Sequence, residues 1–544
     1  MKKVLIIVML LLLGSMTVHA QMGEWTWMNG SDSTGSFGHY GTQGVFNPAN
    51  TPPGLYEACE WTDKDGNFWL FGGTFDYGDL WEYKPSINQW AWIKGPGITN
   101  QFGVYGVQGV PSITNYPGCR AFGALTWVDT AGNLWLFSGN GYASTNAGYL
   151  NDLWMYSIPT NEWTWMSGSD TAGDPGSYGT IHVTSATNMP PSRNESSGSW
   201  IDNNNNLWFY GGQLNANYFS DMWRYSIALN EWTWMSGVSY LNGWANYGTK
   251  GVPSTSNMPS GRSVYAKWKD SNGQFWLFGG RQAPNMNGGY HNDLWRFNPA
   301  SFIWTWMSGT DTLNDTLGVA GILCSLNSNN MPGARFENRA SWTINCDNFI
   351  FFGGYNQGDS GRNLMYNDLW DYSEYTNEWT RINGTSQPNQ SAHYGTKLVS
   401  SPANIPPPSM GSVGWKDNSG NLWKFGGTNL SLGNYNDLWK FVPDSTCPAF
   451  CTGLGISELI TNSNAISLYP NPTSGTFTLS YHLSTPDAAF QLLDISGRVV
   501  YKQSISGSIG NEIIDASALS SGMYFWQVAN EKGVTSYGKI AIVK

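Results

Sequence analysis

The chain has 544 residues, with 27 basic and 38 acidic side chains, a formal net charge of −11 and no basic cluster. That balance excludes a nucleic-acid surface, which requires a concentrated positive face. Aromatic residues make up 15% of the chain and charged residues only 12%, beside 65 glycines; this fits short strands joined by tight turns and excludes a helical protein.

Residues 1–20 read as a secretory leader. Lys2 and Lys3 precede an apolar run over 4–13, and Val18-His19-Ala20 offers a cleavage site before Gln21. The mature chain is expected to begin at Gln21, outside the cytoplasm. The run is too short to span a bilayer, and no later stretch approaches the required length of about 20 apolar residues, so no transmembrane anchor is expected.

From there a four-strand unit recurs. Its second strand is NFWLFGG at 67–73, NLWLFSG at 133–139, NLWFYGG at 206–212, QFWLFGG at 274–280, NFIFFGG at 348–354 and NLWKFGG at 421–427. A strand ending in Trp61, Trp127, Trp200, Trp268, Trp342 or Trp415 precedes each copy, and an Asp-Leu-Trp-like strand with Trp81, Trp154, Trp223, Trp295, Trp370 or Trp439 follows. The fourth strand carries Trp90, Trp163, Trp232, Trp304 or Trp379; the sixth example is missing downstream and reappears upstream as Trp25 in Glu24-Trp25-Thr26-Trp27. A period of about 70 residues built from four aromatic strands reads as a propeller blade, because one such sheet cannot bury both faces alone. The expected fold class is all-β, with residues 21–445 forming a six-bladed β-propeller closed by pairing of the N-terminal strand beside Trp439. The tryptophans belong between blades, each burying about 150–250 Å².

Two kinds of connection differ in length. The turns at 63–67, 129–133 and 417–421 are tight, with Asp and Gly supplying hairpin geometry. They read as Asx turns rather than calcium loops, which need six or more oxygen ligands, and Ile344 replaces the aspartate in the fifth copy. The connections into each new blade run to about 25 residues, a length that usually carries function. They repeat His39-Tyr40-Gly41-Thr42, Val104-Tyr105-Gly106-Val107, Ser177-Tyr178-Gly179-Thr180, Asn246-Tyr247-Gly248-Thr249 and His393-Tyr394-Gly395-Thr396. On one face of a ring they would deepen the mouth of a central channel, which makes that face the expected binding site. Arg120, Arg193, Arg262 and Arg335 lead into four of the innermost strands, while the two other copies carry His39 and His393. Guanidinium groups facing imidazoles, with Tyr40, Tyr105, Tyr178, Tyr247 and Tyr394 between them, suit hydroxyls or a carboxylate, as in sugars and acidic sugars. The same arginines equally suit bonding to carbonyls between blades, and the tyrosines suit packing each loop onto the sheet beneath.

Six cysteines in an oxidising compartment favour disulfides, and local spacing suggests Cys59–Cys119, Cys324–Cys346 and Cys447–Cys451. Residues 446–465 lose the tryptophan pattern and read as a linker. Residues 466–544 contain a single tryptophan, Trp526, and alternating strands such as Thr476-Phe477-Thr478-Leu479-Ser480-Tyr481, which predict a small β-sandwich.

Within that last segment, Tyr469-Pro470-Asn471-Pro472, Gly475 and Phe477, Leu493-Asp494-Ile495-Ser496-Gly497-Arg498, Gly522-Met523-Tyr524-Phe525 and Lys539-Ile540-Ala541-Ile542-Val543-Lys544 resemble the type A C-terminal sorting domain of Bacteroidetes type IX secretion. The resemblance implies that machinery as a partner, and attachment to the cell surface or release. The repeats resemble kelch repeats through their doublets Gly72-Gly73, Gly211-Gly212, Gly279-Gly280, Gly353-Gly354 and Gly426-Gly427, with Ser138-Gly139 as the exception. Kelch-like rings are similar to copper-dependent galactose oxidases, whose site would have to be assembled from His39, His393, Tyr40 and Tyr394 without a supporting motif. They also resemble rings that isomerise sialic acid, for which Glu195 and Glu337, two residues after Arg193 and Arg335, stand where a base is needed. No phosphate loop, zinc spacing or nucleophile elbow is present. The leading expectation is a secreted binding module for a glycan or an extracellular protein, with no catalytic residue, metal or cofactor assigned; an isomerase or an envelope scaffold are the alternatives.

Overall fold

The computed structural model describes residues 23–444, 447 and 465–544, apart from 75–76, 197, 284–287, 316–317, 345–346, 359–360, 470–472, 484–487, 495–497, 508 and 531–532. The leader at 1–20 and almost all of the linker at 446–465 lie outside the described residues. The chain divides into two compact units that part between Thr452 and Gly453.

The first unit contains six four-stranded antiparallel sheets. In the first, Cys59–Thr62, Phe68–Phe71, Leu80–Lys84 and Gln89–Lys94 lie side by side from inner to outer edge. Trp61 pairs with Trp69, Leu70 with Trp81, and Trp81 with Trp92. The inner strands of the other sheets are Leu125–Val128, Gly198–Ile201, Ala266–Lys269, Ser341–Ile344 and Val413–Lys416. The sixth sheet is completed from the start of the chain: Glu24–Asn29 pairs antiparallel with Leu438–Val442, Trp25 opposite Phe441 and Trp27 opposite Trp439. Trp25 is fully buried there against Phe352, Trp439 and Phe441.

Successive sheets are joined in a repeating way. The indoles of Trp61, Trp127, Trp200, Trp268 and Trp342 donate to the carbonyls of Trp135, Trp208, Trp268, Ile350 and Trp415 in the next sheet. The second residue of each glycine doublet donates its N–H to the segment leading into the following sheet: Gly73 to Arg120, Gly139 to Arg193, Gly212 to Arg262, Gly280 to Arg335, Gly354 to Ser409, and Gly427 back to Leu55. The doublet is required because this approach is close. A Cβ on Gly72, whose φ is +66°, would stand 2.5 Å from the Arg120 carbonyl oxygen. Ser138 takes the same left-handed conformation in the second copy. The inner strands touch one another in chain order, and the last touches the first; beside that contact Phe68, on the second strand of the first sheet, stacks on Trp415 at 5.2 Å.

The long connections take a different course from the one expected, in which they deepen a channel mouth. Each runs back along the outer edge of the sheet it is about to enter. Gly44 N–H bonds to Trp92 O, Gly109 to Trp165 O, His182 to Trp234 O, Gly251 to Trp306 O, Cys324 to Arg381 O and Leu398 to Trp27 O. An outer strand otherwise presents unpaired backbone groups to water, and this strap covers them. An asparagine fastens it: the Nδ2 atoms of Asn50, Asn115, Asn188, Asn257 and Asn404 donate to the carbonyls of Trp90, Trp163, Trp232, Trp304 and Trp25. The sixth strap therefore grips the N-terminal strand.

The disulfide pairing differs as well. Cys324 bonds to Cys447 across 123 residues, with Cα atoms 5.3 Å apart, in place of the expected Cys324–Cys346 and Cys447–Cys451. The strap of the fifth sheet brings Cys324 to the cluster around Trp25 and Trp342, where Cys447 is buried. Proximity in the sheet stack thus overrides proximity in sequence; Cys346 and Cys451 lie outside the described residues. Cys59 and Cys119 are buried thiols that no disulfide joins, with Cys119 Sγ accepting from Gln101 N at 3.2 Å.

The second unit holds a three-stranded sheet, Ala465–Tyr469, Thr476–His482 and Ile509–Asp515, and a four-stranded sheet, Val499–Ile505, Ala488–Leu493, Gly522–Asn530 and Gly533–Ile542. Phe477, Leu479 and Ile514 from one meet Phe490, Leu492, Val528 and Ile540 from the other in a single apolar cluster.

Candidate functional site

The four arginines lie inside the sheets. Arg120, Arg193 and Arg262 each grip one aspartate with both terminal nitrogens, Asp152 at 3.0 and 2.9 Å, Asp221 at 2.7 and 2.9 Å, and Asp293 at 2.6 and 2.9 Å. Arg335 bonds Asp368 at 2.7 Å. All four pairs are almost fully buried, with side-chain exposures of 0–4%, so these guanidinium groups turn no face to a ligand. The tyrosines converge on the same acids. Tyr105, Tyr178 and Tyr247 donate to Asp152, Asp221 and Asp293, while Tyr40 and Tyr394 donate to Asp79 and Asp437. The indoles of Trp154, Trp223, Trp295, Trp370 and Trp439 complete the set on their own sheet's aspartate.

Each aspartate thus sits at the crossing of strap, lead-in and third strand, and the eleven residues singled out from sequence are dispersed among the sheets rather than gathered. In the sixth sheet Lys424 on the second strand replaces the arginine, its Nζ 3.5 Å from Asp437 Oδ1 with both groups fully buried. In the first, no such cation meets Asp79 among the described residues, and burial raises its pKa against the bonds from Tyr40 and Gly97. Burial and the Arg262 charge lower His291 to about 3, so it is neutral beside Ser260. His39 and His393 are exposed, and their backbone groups pair with Thr51 and Ile405 inside the straps.

What does converge is a tier of glutamates around the central space. Two residues after the arginine position, all six lead-ins place a residue with left-handed φ: Glu57 (53°), Phe122 (55°), Glu195 (47°), Val264 (45°), Glu337 (58°) and Gly411 (63°). Only the last is the residue type that adopts this conformation freely, and for Val264 it is a genuine outlier. Their backbones hand hydrogen bonds around the tier, Val264 to Glu195, Glu337 to Val264, Gly411 to Glu337, Glu57 to Gly411 and Glu195 to Phe122. The glutamates alternate, one from every second sheet. Strain of about 1–3 kcal/mol per such residue persists where surrounding structure enforces it, and typically marks a functional position.

The tier is acidic and buried. Glu57 and Glu337 are each 3% exposed and each keep an Oε2 with no hydrogen bond. Burial, followed by the nearby Glu57 charge and the contact with that residue, pushes Glu337 well above the usual carboxylate range, and burial raises Glu57 too, against the Arg339 charge. Burial, then Glu57, lifts Glu195 to about 8; its Oε2 lies 3.4 Å from Ser263 Oγ. Arg339, 7% exposed, reaches in from the fifth sheet with Nη1 3.7 Å from Glu57 Oε2 and no hydrogen bond on that nitrogen. Tyr56 feels all three carboxylates. A Cβ on Gly411 would stand 3.3 Å from Glu337 Oε2, so the glycine keeps that side open. Donor and acceptor atoms left unmatched in one buried place are what a hydroxylated ligand satisfies.

Glu195 and Glu337 were legible in the sequence through the arginines before them. Glu57 was not, because Leu55 stands where its arginine would be; counting residues to the tryptophan fails too, since the spacing varies among the copies.

Among curated proteins no relative matches this chain. A solved structure of YjhT is similar with a TM-score of 0.46 and 13% sequence identity, over 71% of this chain and 95% of that one. Residues 467–543 match the family of the secretion system C-terminal sorting domain. The chain thus carries a sorting domain, which implies the type IX secretion machinery as its route of export and places the protein outside the cell or on its surface.

Proposed function

We propose that residues 21–445 form a closed, kelch-like six-bladed propeller which, delivered by the sorting domain at 466–544, serves as an extracellular module that binds a glycan in its central channel. The return bond from Gly427 to Leu55 and the completion of the sixth sheet by Glu24–Asn29 support closure. In this reading the Arg–Asp–Tyr–Trp clusters are the frame, and the ligand meets the tier of Glu57, Glu195, Glu337 and Arg339. The observation that carries it is the pairing of unbonded Glu57 and Glu337 Oε2 atoms with an unbonded Arg339 Nη1 in one buried tier. Sugar hydroxyls donate to the former and accept from the latter. The test is a glycan array with the wild type and Glu337→Gln. Binding of a defined glycan that the variant loses at least about tenfold supports the reading; an unchanged glycan profile refutes it.

A second reading is favoured by one feature, the closeness of Glu337 and Glu57, two carboxyls that burial raises above the usual range. A carboxylic acid beside a carboxylate supports proton transfer at neutral pH, so the channel would isomerise a reducing sugar. Anomer exchange followed by NMR separates this reading from simple binding.

A further inference from the structure

A separate cavity of about 210 Å³ lies nearer the tight-turn end of the central space, where Glu60, Thr126 and Lys267 meet Trp61, Trp127 and Trp415. Its polar groups come from three different sheets. Lys267 Nζ donates to Ser199 Oγ, which in turn donates to Thr126 O at 3.0 Å. An ammonium has three donors, so two remain. Glu60 keeps an Oε2 with no hydrogen bond. Burial raises Glu60 and lowers Lys267 to about 8, and their mutual attraction opposes both shifts, yet no ion pair of 4.0 Å or less joins them. Two opposite charges are held apart inside a cavity smaller than the roughly 300–1,000 Å³ of drug-sized sites.

We propose that this cavity is a second binding site, for a small carboxylate that carries a hydrogen-bond donor on the adjacent carbon. The carboxylate end takes the free Lys267 donors, and the ammonium or hydroxyl donates to Glu60 Oε2. Thr126 and the three indoles close the sides. A ligand with only one of these ends leaves the opposite charge buried and unpaired, which costs more than the missing bond itself. The site uses none of the Glu57, Glu195 and Glu337 side chains, and Glu60 is linked to that tier through the charge of Arg339.

Calorimetric titration of the mature chain with L-serine, L-lactate, acetate and ethanolamine tests it. Serine or lactate should bind, with acetate and ethanolamine at least about tenfold weaker, and the better of the first two identifies the donor as ammonium or hydroxyl. Glu60→Gln and Lys267→Met should each reduce the two-ended ligand to the affinity of the one-ended probes. Acetate binding as well as serine and lactate overturns the proposal, as does the absence of saturable heat from all four probes in the wild type, a result that requires no variant to fold. Glycan-array binding of Lys267→Met reports on the upper tier separately.

Discussion

At the scale of single residues, the molecule repeats one buried aspartate whose partners come from three directions. Burial alone would raise such a carboxyl; at Asp293 the Arg262 charge, with His291 and the bonds from Arg262 and Trp295, outweighs it and holds the group below the usual range. Removing the cation strands the acid, so Arg193→Ala is expected to cost about 3–5 kcal/mol in denaturant unfolding. Sparing stability while abolishing ligand binding would instead return Arg193 to the site. The glutamate tier has the opposite sign. Glu195 binds its proton more tightly folded, at about 8, than unfolded, near the ordinary glutamate value of 4.5, so its stabilising contribution is full below the lower value and is lost as pH rises toward the upper one. Thermal unfolding of the wild type should therefore fall in temperature between these limits, and Glu195→Gln should flatten that fall; a steeper fall in the variant would contradict the tier's acidity.

At the scale of elements, the outer edges decide stability. The strand Glu24–Asn29 has only Leu438–Val442 on one side, and its other side depends on the strap over residues 398–404. Trp25→Ala removes a fully buried ring and is expected to cost about 3–5 kcal/mol. Asn404→Ala leaves the Trp25 and Val399 carbonyls short of one donor and should cost about 1–3 kcal/mol, read by the same denaturant titration. The Cys324–Cys447 bond closes a loop across 123 residues, and Cys447→Ser should lose about 2–5 kcal/mol in oxidising buffer but nothing once reductant is present. The sequence announced the strands through their tryptophans, whereas the straps passed as open loops. Their signal was there in Asn50-Thr51-Pro52, Asn115-Tyr116-Pro117, Asn188-Met189-Pro190 and Asn257-Met258-Pro259, an asparagine two residues before a proline in copy after copy. A lone asparagine in a loop looks like turn chemistry, and only the neighbouring outer strand reveals the carbonyl it serves.

At the scale of the whole molecule, two units carry two tasks. A chain ending at Thr452 should retain the unfolding temperature of the first unit, since Phe477, Leu479 and their partners form a core of their own, yet fail to reach the extracellular fraction. Export of that truncated chain would dissociate the C-terminal unit from sorting. The sequence by itself determined the repeat, the strand content, the phase that makes Trp25 the missing sixth copy, and the sorting motifs, because aromatic spacing and glycine doublets are local consequences of stacking sheets. It did not determine which polar residues meet. Arginine and tyrosine repeat conspicuously because every sheet needs the same internal clamp, while the glutamates that gather at the centre are scattered and unequal in sequence. Only the tertiary structure decided between them, since burial and convergence depend on which distant segments pack against one another.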